Sequence, residues 1–519
     1  MSANNHVVAD QEAVFALLAN PATHGRTDPV IRIDTHGAAV FLAGPDVYKV
    51  KRAVRYSFMD FSTLDRRRRA CARELELNRA TAPGLYLGLV PIVAKAGTLH
   101  LGAEGEGNGD VVEWAVHMAR FDENATLDRV AAREGLSRPL IAALAVAVEA
   151  AHRRAPVVAG TSGGALRAVA RNVVAGLREA PGLLPPARVS ALEAGLIDAF
   201  DRLEPLLARR AAAGEVRRCH GDLHLRNIVR VDGAPVLFDA LEFDEALATT
   251  DRLYDLAFLI MDIAMRGHGF EANLLLNRYL AACGEAPPYD GLAALPLFLA
   301  LRAAIRAQVT AAAAGFRDAS GRAAAGEEAR AYLAFAESAL APRPVRLVAV
   351  GGLSGTGKST LAAALAPRLG PMPGAVHLRS DVERKRLNGT PELERLPQEA
   401  YSIEATQAVY ETLHARAEAI LAAGHAVIVD AVHQRPEERA QIAALAHECG
   451  VDFLGLWLEA PLDALTGRVA ARRGDASDAT AEVVRWQAGR DPGPLDWVRL
   501  DTSRPPEAVL AQVAGLLEG

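Results

Sequence analysis

The run Gly352-Leu-Ser-Gly-Thr-Gly357-Lys358-Ser359 satisfies G-x-x-x-x-G-K-[ST], and it stands directly after the apolar segment VRLVAV and directly before STLAAALAPRLG. That context constrains the chain more than any other feature, because the motif works only as a strand, a glycine loop and a helix in succession. Gly352, Gly355 and Gly357 permit the backbone angles that aim successive N–H groups inward at phosphate, and the helix N-terminus adds the positive end of its dipole. Ser354, Thr356 and Thr360 belong to the same cradle. Lys358 is expected to reach the β and γ phosphates of ATP, and the Ser359 hydroxyl to bind Mg²⁺.

Around this loop the chain runs strand (Arg346 to Val350), helix, strand (Ala375 to Leu378), helices, strand (Ala426 to Val429), helix, strand (Asp452 to Leu458), helix. Such alternation predicts a doubly wound parallel sheet. The preceding residues read differently: strand-rich at first, helical after about residue 125, with a short hairpin near 227 to 240. At 519 residues the chain exceeds the roughly 250 to 300 that one core sustains. The boundary is expected in the Pro-containing stretch at 340 to 345, giving domains 1–340 and 345–519.

Composition narrows the partners. A formal charge of -6 gives neither nucleic acid nor an anionic membrane a field to follow, which favours a small molecule. The start of the chain lacks a basic n-region, and no run reaches the roughly 18 uninterrupted apolar residues of a membrane span. A cytoplasmic protein is expected. Lysine is scarce, occurring only at 49, 51, 95, 358 and 385, so a surviving lysine is a candidate for a place where a compact ammonium is wanted, and the motifs claim three of the five.

Beyond the second C-terminal strand, HLRSDVERKRL places Asp381 and Arg384 at the carboxyl edge of the sheet, where ligands bind in open α/β folds. Asp381 could accept a proton from a substrate hydroxyl, or could cap the helix that Ser380 opens. Asp430 closes the third strand and suits the metal's water shell, unless it is a surface turn residue. Arg468, Arg472 and Arg473 lie beside a glycine and polar stretch, as a lid closing positive charge over a phosphoryl group requires, although charge runs also form solvated faces. Residues 345 to 519 resemble the kinases related to gluconate kinase, chloramphenicol phosphotransferase and zeta toxin. The resemblance implies that Asp381 binds or deprotonates the acceptor, that Asp430 sits near the metal and that the arginines form the lid.

In the N-terminal part, Cys219-His220-Gly221-Asp222-Leu-His224-Leu-Arg-Asn227 carries Asp and Asn at the H-x-D-x-x-x-x-N spacing of a kinase catalytic loop. Asp232-Gly233 is a favoured two-residue hairpin turn, and it sets Val231 opposite Ala234, Val229 opposite Val236 and Asn227 opposite Phe238. Asn227 and Asp239 therefore meet at the open end of the hairpin as candidate metal ligands, with Asp222 as candidate base. These residues resemble the HGD loop and metal-binding Asp of the aminoglycoside phosphotransferase and choline kinase family. That resemblance implies a two-lobed protein-kinase-like fold, with Asp251 and Asp255 bracing the catalytic loop. It also implies a strand lysine for the phosphates and a helix glutamate to hold it. Lys49 and Lys51 share one strand face; Lys49 is preferred, with Glu74 rather than Glu76 as its partner, on a helix expected to start at Ser62-Thr-Leu-Asp65. A solvated face is expected for Arg66 to Arg69. The glycine-rich loop of protein kinases is missing, and no acidic cluster between 245 and 340 marks an aminoglycoside pocket.

The expected fold class is thus α/β and α+β, a kinase-like domain followed by a P-loop domain. The expected function is ATP- and Mg²⁺-dependent phosphoryl transfer to a small hydroxylated substrate at two sites. A toxin-like kinase acting on a protein or nucleotide sugar, and a regulatory protein with one active site, are the alternatives.

Overall fold

A computed structural model describes residues 6–518 apart from 57–58, 104–109, 160–162, 181 and 316–317. The chain forms two compact units, Met1–Ala165 with Arg210–Asp262, and Leu166–Arg209 with Ile263–Gly519.

In the first unit, β1 (Ile31–Asp34), β2 (Ala38–Ala43), β3 (Asp46–Lys51), β4 (Tyr86–Lys95), β5 (Thr98–Leu101) and β6 (Asp110–Ala119) form an antiparallel sheet in the order β1-β2-β3-β6-β4-β5. Alternation along β3 divides its side chains between two cores. Tyr48 and Val50 pack with Phe41 against Val14, Phe15 and Leu18 of helix Glu12–Ala19. Val47 faces the other way, towards Cys71 of helix Leu64–Arg79, and Lys49 and Lys51 share that face. The helix begins one residue later than Ser62 would set it, with Thr63 as N-cap accepting from the Arg66 N–H. Nor is Arg66 to Arg69 a wholly solvated run: Arg67 is buried, its Nε 2.9 Å from the Glu113 carboxylate, because it falls one turn from Cys71 on the inner face.

Next come β7 (Val216–Arg218), β8 (Ile228–Val231), β9 (Ala234–Leu237) and β10 (Thr249–Asp251). β7 pairs with β10, and β8 with β9 in the register Val231↔Ala234 and Val229↔Val236. Asp232 at φ 49° and Gly233 at φ 82° make the turn, both in the left-handed region that a two-residue hairpin of matching twist requires.

The second unit combines helices with a sheet. Helix Leu295–Ala314 is largely buried, helix Ala319–Leu340 buries one face, and helix Gly163–Arg178 approaches the first of them at Gly176, where a side chain would collide with Gln308. The stretch Tyr289–Ala314 is apolar and long enough to cross a membrane by length and composition, but 67% of its most apolar window is buried inside the protein, as in a core helix. Among the described residues the sheet has five strands, β11 (Arg346–Gly352), β12 (Val376–Arg379), β13 (Val427–Asp430), β14 (Asp452–Glu459) and β15 (Val498–Asp501), in the order β12-β13-β11-β14-β15. Every pairing is parallel, as the alternation predicted. Successive strands add first on one side of β11 and later on the other. The topological switch therefore lies at its carboxyl end, where open α/β sheets bind ligands.

Candidate functional site

At the carboxyl end of β11 three glycines adopt angles closed to other residues: Gly352 at φ +131°, Gly355 at φ +88° and Gly357 at φ +89°. A Cβ on Gly352 would lie 2.4 Å from the Leu458 carbonyl oxygen of β14, and one on Gly355 would lie 2.8 Å from that of Leu465 in helix Leu462–Ala471, so the loop fits against strand and helix only without side chains. Helix Lys358–Leu365 follows directly, with Ser359 and Thr360 in its first turn. The Thr356 hydroxyl donates back to the Leu353 carbonyl at 2.8 Å, and the Ser354 N–H donates to Gln487 Oε1 at 2.9 Å.

The Lys358 ammonium is folded onto the loop, donating to the carbonyls of Gly352 at 2.8 Å and Leu353 at 3.0 Å. Burial draws its pKa below the ordinary lysine value, against the opposing charges of Asp430 and Asp381. The Ser359 hydroxyl donates to Asp430 Oδ2 at 2.6 Å. Asp430 is buried rather than a surface turn residue; burial would raise its carboxyl, yet the His377 hydrogen bond and the charges of Arg379 and Lys358 bring it down to about 2. His377 Nε2 lies 3.3 Å from the same oxygen and Arg379 Nε 3.8 Å from it. Two hard oxygen donors side by side are the kind of set that Mg²⁺ takes.

Asp381 lies in the first turn of helix Ser380–Leu387, whose N-cap is Arg379, so it is not the capping residue. Arg384 is buried, donates to the Ala400 carbonyl at 2.7 Å and stacks over Tyr401. The three lid arginines separate. Arg468 is anchored to the Thr502 carbonyl at 2.7 Å and lies 3.4 Å from that of Gly355; Arg473 turns back onto the carbonyls of Ala470 and Arg472. Arg472 alone keeps a buried terminal nitrogen without a hydrogen-bond partner, and with the Nε of Arg379 it leaves cationic donors unspent near Lys358 and Asp430. An anion would satisfy them.

Two buried histidines in this unit make it acid-sensitive. His425, bonded to the Gly374 carbonyl, is pushed down to about 4 and His433 to about 3, both by burial. Folded values below the unfolded value of about 6.5 mean that keeping these rings neutral stabilises the fold fully above pH 6.5, and that this is lost as pH falls towards 4 and 3. With each ring contributing about 1.4 kcal/mol per pH unit, the stability of this unit is expected to fall by on the order of 2 to 3 kcal/mol per unit between pH 6 and 4.5. Urea midpoints across that range check it, and His425→Gln should flatten the slope.

In the first unit, Lys49 Nζ sits 2.8 Å from Glu74 Oε1 and 2.6 Å from Asp239 Oδ1. Lys51 also reaches Glu74, at 2.5 Å from Oε2, and pairs with Glu242. Both lysines thus meet the same buried carboxylate, while Glu76 is exposed beside Arg73. Burial would lower Lys49 and raise Glu74. The opposite charges win: Asp239 and Glu74 hold Lys49 well above its ordinary value, and the two lysines bring Glu74 down to about 2. Glu74→Ala is expected to cost about 3 kcal/mol in denaturant unfolding, the low end for a broken buried pair, because Asp239 and Glu242 remain for the lysines.

The loop between β7 and β8 brings Asp222 and Asn227 together: Asn227 Nδ2 donates to Asp222 Oδ2 at 2.9 Å and to its carbonyl at 3.0 Å, and His224 Nε2 lies 3.4 Å from Oδ2. Phe238 N–H donates to the Asn227 carbonyl at 3.0 Å, so Asp239 follows at the hairpin's open end. Asp239 has φ 60°, its N–H donates to the Tyr86 hydroxyl at 3.1 Å, and the next N–H, of Ala240, donates to Asn78 Oδ1 at 2.9 Å. The bracing of the loop falls to Asp255, which accepts from the backbone of His220 at 3.2 Å and of Gly221 at 2.8 Å. Asp251 instead binds the buried Arg210 at 2.7 Å, a departure from what the resemblance implied. Burial outweighs the nearby carboxylates and lowers His220, which keeps its ring neutral against the Phe238 carbonyl at 3.0 Å.

Sequence reasoning missed several of these residues. His377 and Arg379 alternate along β12, a period of two that could have put them on one face. Tyr86, Asn78 and Gln487 lie 153, 162 and 133 residues from the groups they hold, beyond any local pattern.

Residues 42–295 match a phosphotransferase enzyme family and residues 347–491 an AAA domain family. An uncharacterised protein of Mycobacterium tuberculosis (strain ATCC 25618 / H37Rv) is 32% identical over 510 residues, covering 95% of this chain and 96% of its own. Among solved structures, a choline/ethanolamine kinase family protein from Mesorhizobium loti is 18% identical, covering 63% of this chain and 98% of its own, at a TM-score of 0.36. A sugar kinase from Janibacter sp. HTCC2649 is 22% identical, covering 34% and 95%, at 0.28.

Proposed function

Because the chain belongs to a family that joins a phosphotransferase enzyme domain to an AAA P-loop domain in one polypeptide, we propose that it is a cytoplasmic enzyme with two ATP sites, each transferring the γ-phosphoryl group to a hydroxyl of a small molecule. The observation that carries this reading is the convergence of Lys49 with Glu74 and Asp239, at 2.8 and 2.6 Å, in the unit where Asn227 holds Asp222 at 2.9 Å. One cation, one candidate base and two further oxygen donors are what phosphoryl transfer asks of a protein.

In the first site Asp222 takes the proton of the acceptor hydroxyl as its oxygen bonds to phosphorus and the bond to the departing ADP oxygen breaks. Asn227 holds Asp222 in line. Lys49 neutralises phosphate charge, kept cationic by Asp239 and Glu74. In the second site the glycine loop and Lys358 take the phosphates, Arg472 supplies its unspent donor to the transferring group, and Asp381 receives the acceptor proton. Asn227 and Asp239 in one site, and Ser359 and Asp430 in the other, would hold Mg²⁺, which when bound neutralises charge on the phosphate oxygens. Asp430, held at about 2, is fully ionised for that task at neutral pH.

Incubation with γ-labelled ATP and a panel of sugars, amino alcohols and antibiotics tests this. Label is expected in at least one alcohol. Label found only in inorganic phosphate or in protein would contradict the small-molecule acceptor.

A further inference from the structure

β12 is an edge of its sheet among the described residues, and an edge leaves backbone groups open on its outer side. Helix Gly269–Ala282 fills them. Asn273 Nδ2 donates to the Ala375 carbonyl at 3.0 Å, Asn277 Nδ2 to the same oxygen at 3.3 Å, and Asn277 Oδ1 accepts from the His377 N–H at 2.7 Å. The two amides also bond each other at 3.1 Å. Arg278, the next residue, pairs at 2.5 Å with Glu392, whose carboxylate lies 4.0 Å from Arg379.

Beyond the strand a second set of contacts holds the helix that carries Asp381. Arg416 donates to the Gly284 carbonyl at 2.9 Å and to the Tyr289 hydroxyl at 3.2 Å, and it pairs with Glu383 at 3.1 Å. The segment 376–387, with His377, Arg379, Asp381 and Arg384, is therefore held directly at its start by Asn277 and, through Arg416, at Glu383 by Gly284 and Tyr289. Those residues fall inside the phosphotransferase match, which runs to 295, and before the AAA match begins at 347.

We propose that Asn273, Asn277, Arg278 and Tyr289 are positioning residues for the P-loop site, fixing the wall that meets the acceptor, so that this site is completed by a helix from outside the P-loop domain. The inference rests on reading the P-loop unit as a phosphotransferase. Apolar packing would be enough to join two neighbouring elements. Side-chain amides that spend both donor and acceptor on a strand edge do more, because they set the strand's register against the helix and leave buried backbone groups unpaired if removed.

The test uses the full chain with Asn277→Leu, which removes both kinds of bond, and Asn277→Asp, which keeps the acceptor for the His377 N–H. Amide hydrogen exchange at 376–379 and the ATP turnover that Lys358→Ala removes are measured together, with the affinity of a non-hydrolysable ATP analogue. Asn277→Leu is expected to speed exchange at 376–379 and to lower that turnover, each by about tenfold, with analogue affinity within twofold and exchange at 347–350 unchanged. Asn277→Asp should restore most of both. Unchanged exchange at 376–379 overturns the proposal, and so does a loss of protection and analogue affinity across the whole sheet, which is simple destabilisation. If Lys358→Ala removes no turnover, the phosphotransferase reading falls, and the exchange result alone decides whether the strand is held.

Discussion

Asp222→Asn is expected to lower acceptor phosphorylation at the N-terminal site by about 10²- to 10⁴-fold, the range a positioned proton acceptor contributes, with nucleotide affinity within twofold. Asparagine keeps the size of the side chain and an oxygen for the Asn227 amide, which now donates to Oδ2 at 2.9 Å. What it removes is a basic oxygen. The loop around it should stand, because Asp255 grips the backbone of His220 and Gly221, and Gly221 holds φ +83° beside Ala248 and Leu241 where a side chain would crowd. Steady-state kinetics and analogue titration together separate the two effects. A fall in affinity matching the fall in rate would mean that Asp222 serves binding and not proton transfer.

Lys358→Ala should remove turnover at the P-loop site by about 10²- to 10³-fold, as expected for the loss of one preorganised charge on the transferring group, and should weaken the nucleotide as well. The substitution is mild for the fold. Lys358 is only partly buried and Gly357 before it is exposed, and the glycine angles that shape the loop are untouched. An unchanged melting temperature with lost turnover is the expected pair of results. Retained turnover would place phosphoryl transfer elsewhere.

Local chemistry made much of both sites legible in the sequence. Asp232-Gly233 dictated its turn, and the turn dictated the register that puts Asp239 next to Asn227. Strand alternation put Lys49 and Lys51 on one face, and both do reach Glu74, so sequence could not separate two lysines that share one carboxylate. The glycine loop, its strand and its helix came from one motif. Contacts across long separations were hidden. Nothing local tells Asp255 from Asp251, since the difference is that Arg210 claims one and the backbone of His220 and Gly221 the other. Arg468, Arg472 and Arg473 look alike in sequence, and only tertiary packing spends two of them on carbonyls and leaves a nitrogen of the third unspent. The hold of Asn277 on β12 was equally unreadable, because it needs a helix a hundred residues upstream to arrive at one sheet edge.

Two nucleotide sites in one chain is the central claim, and calorimetric titration with a non-hydrolysable ATP analogue and Mg²⁺ tests it without knowledge of any acceptor. The account predicts two equivalents bound per chain, one in Lys358→Ala and one in Lys49→Ala. A single equivalent in the unaltered chain, abolished by either substitution alone, would contradict it.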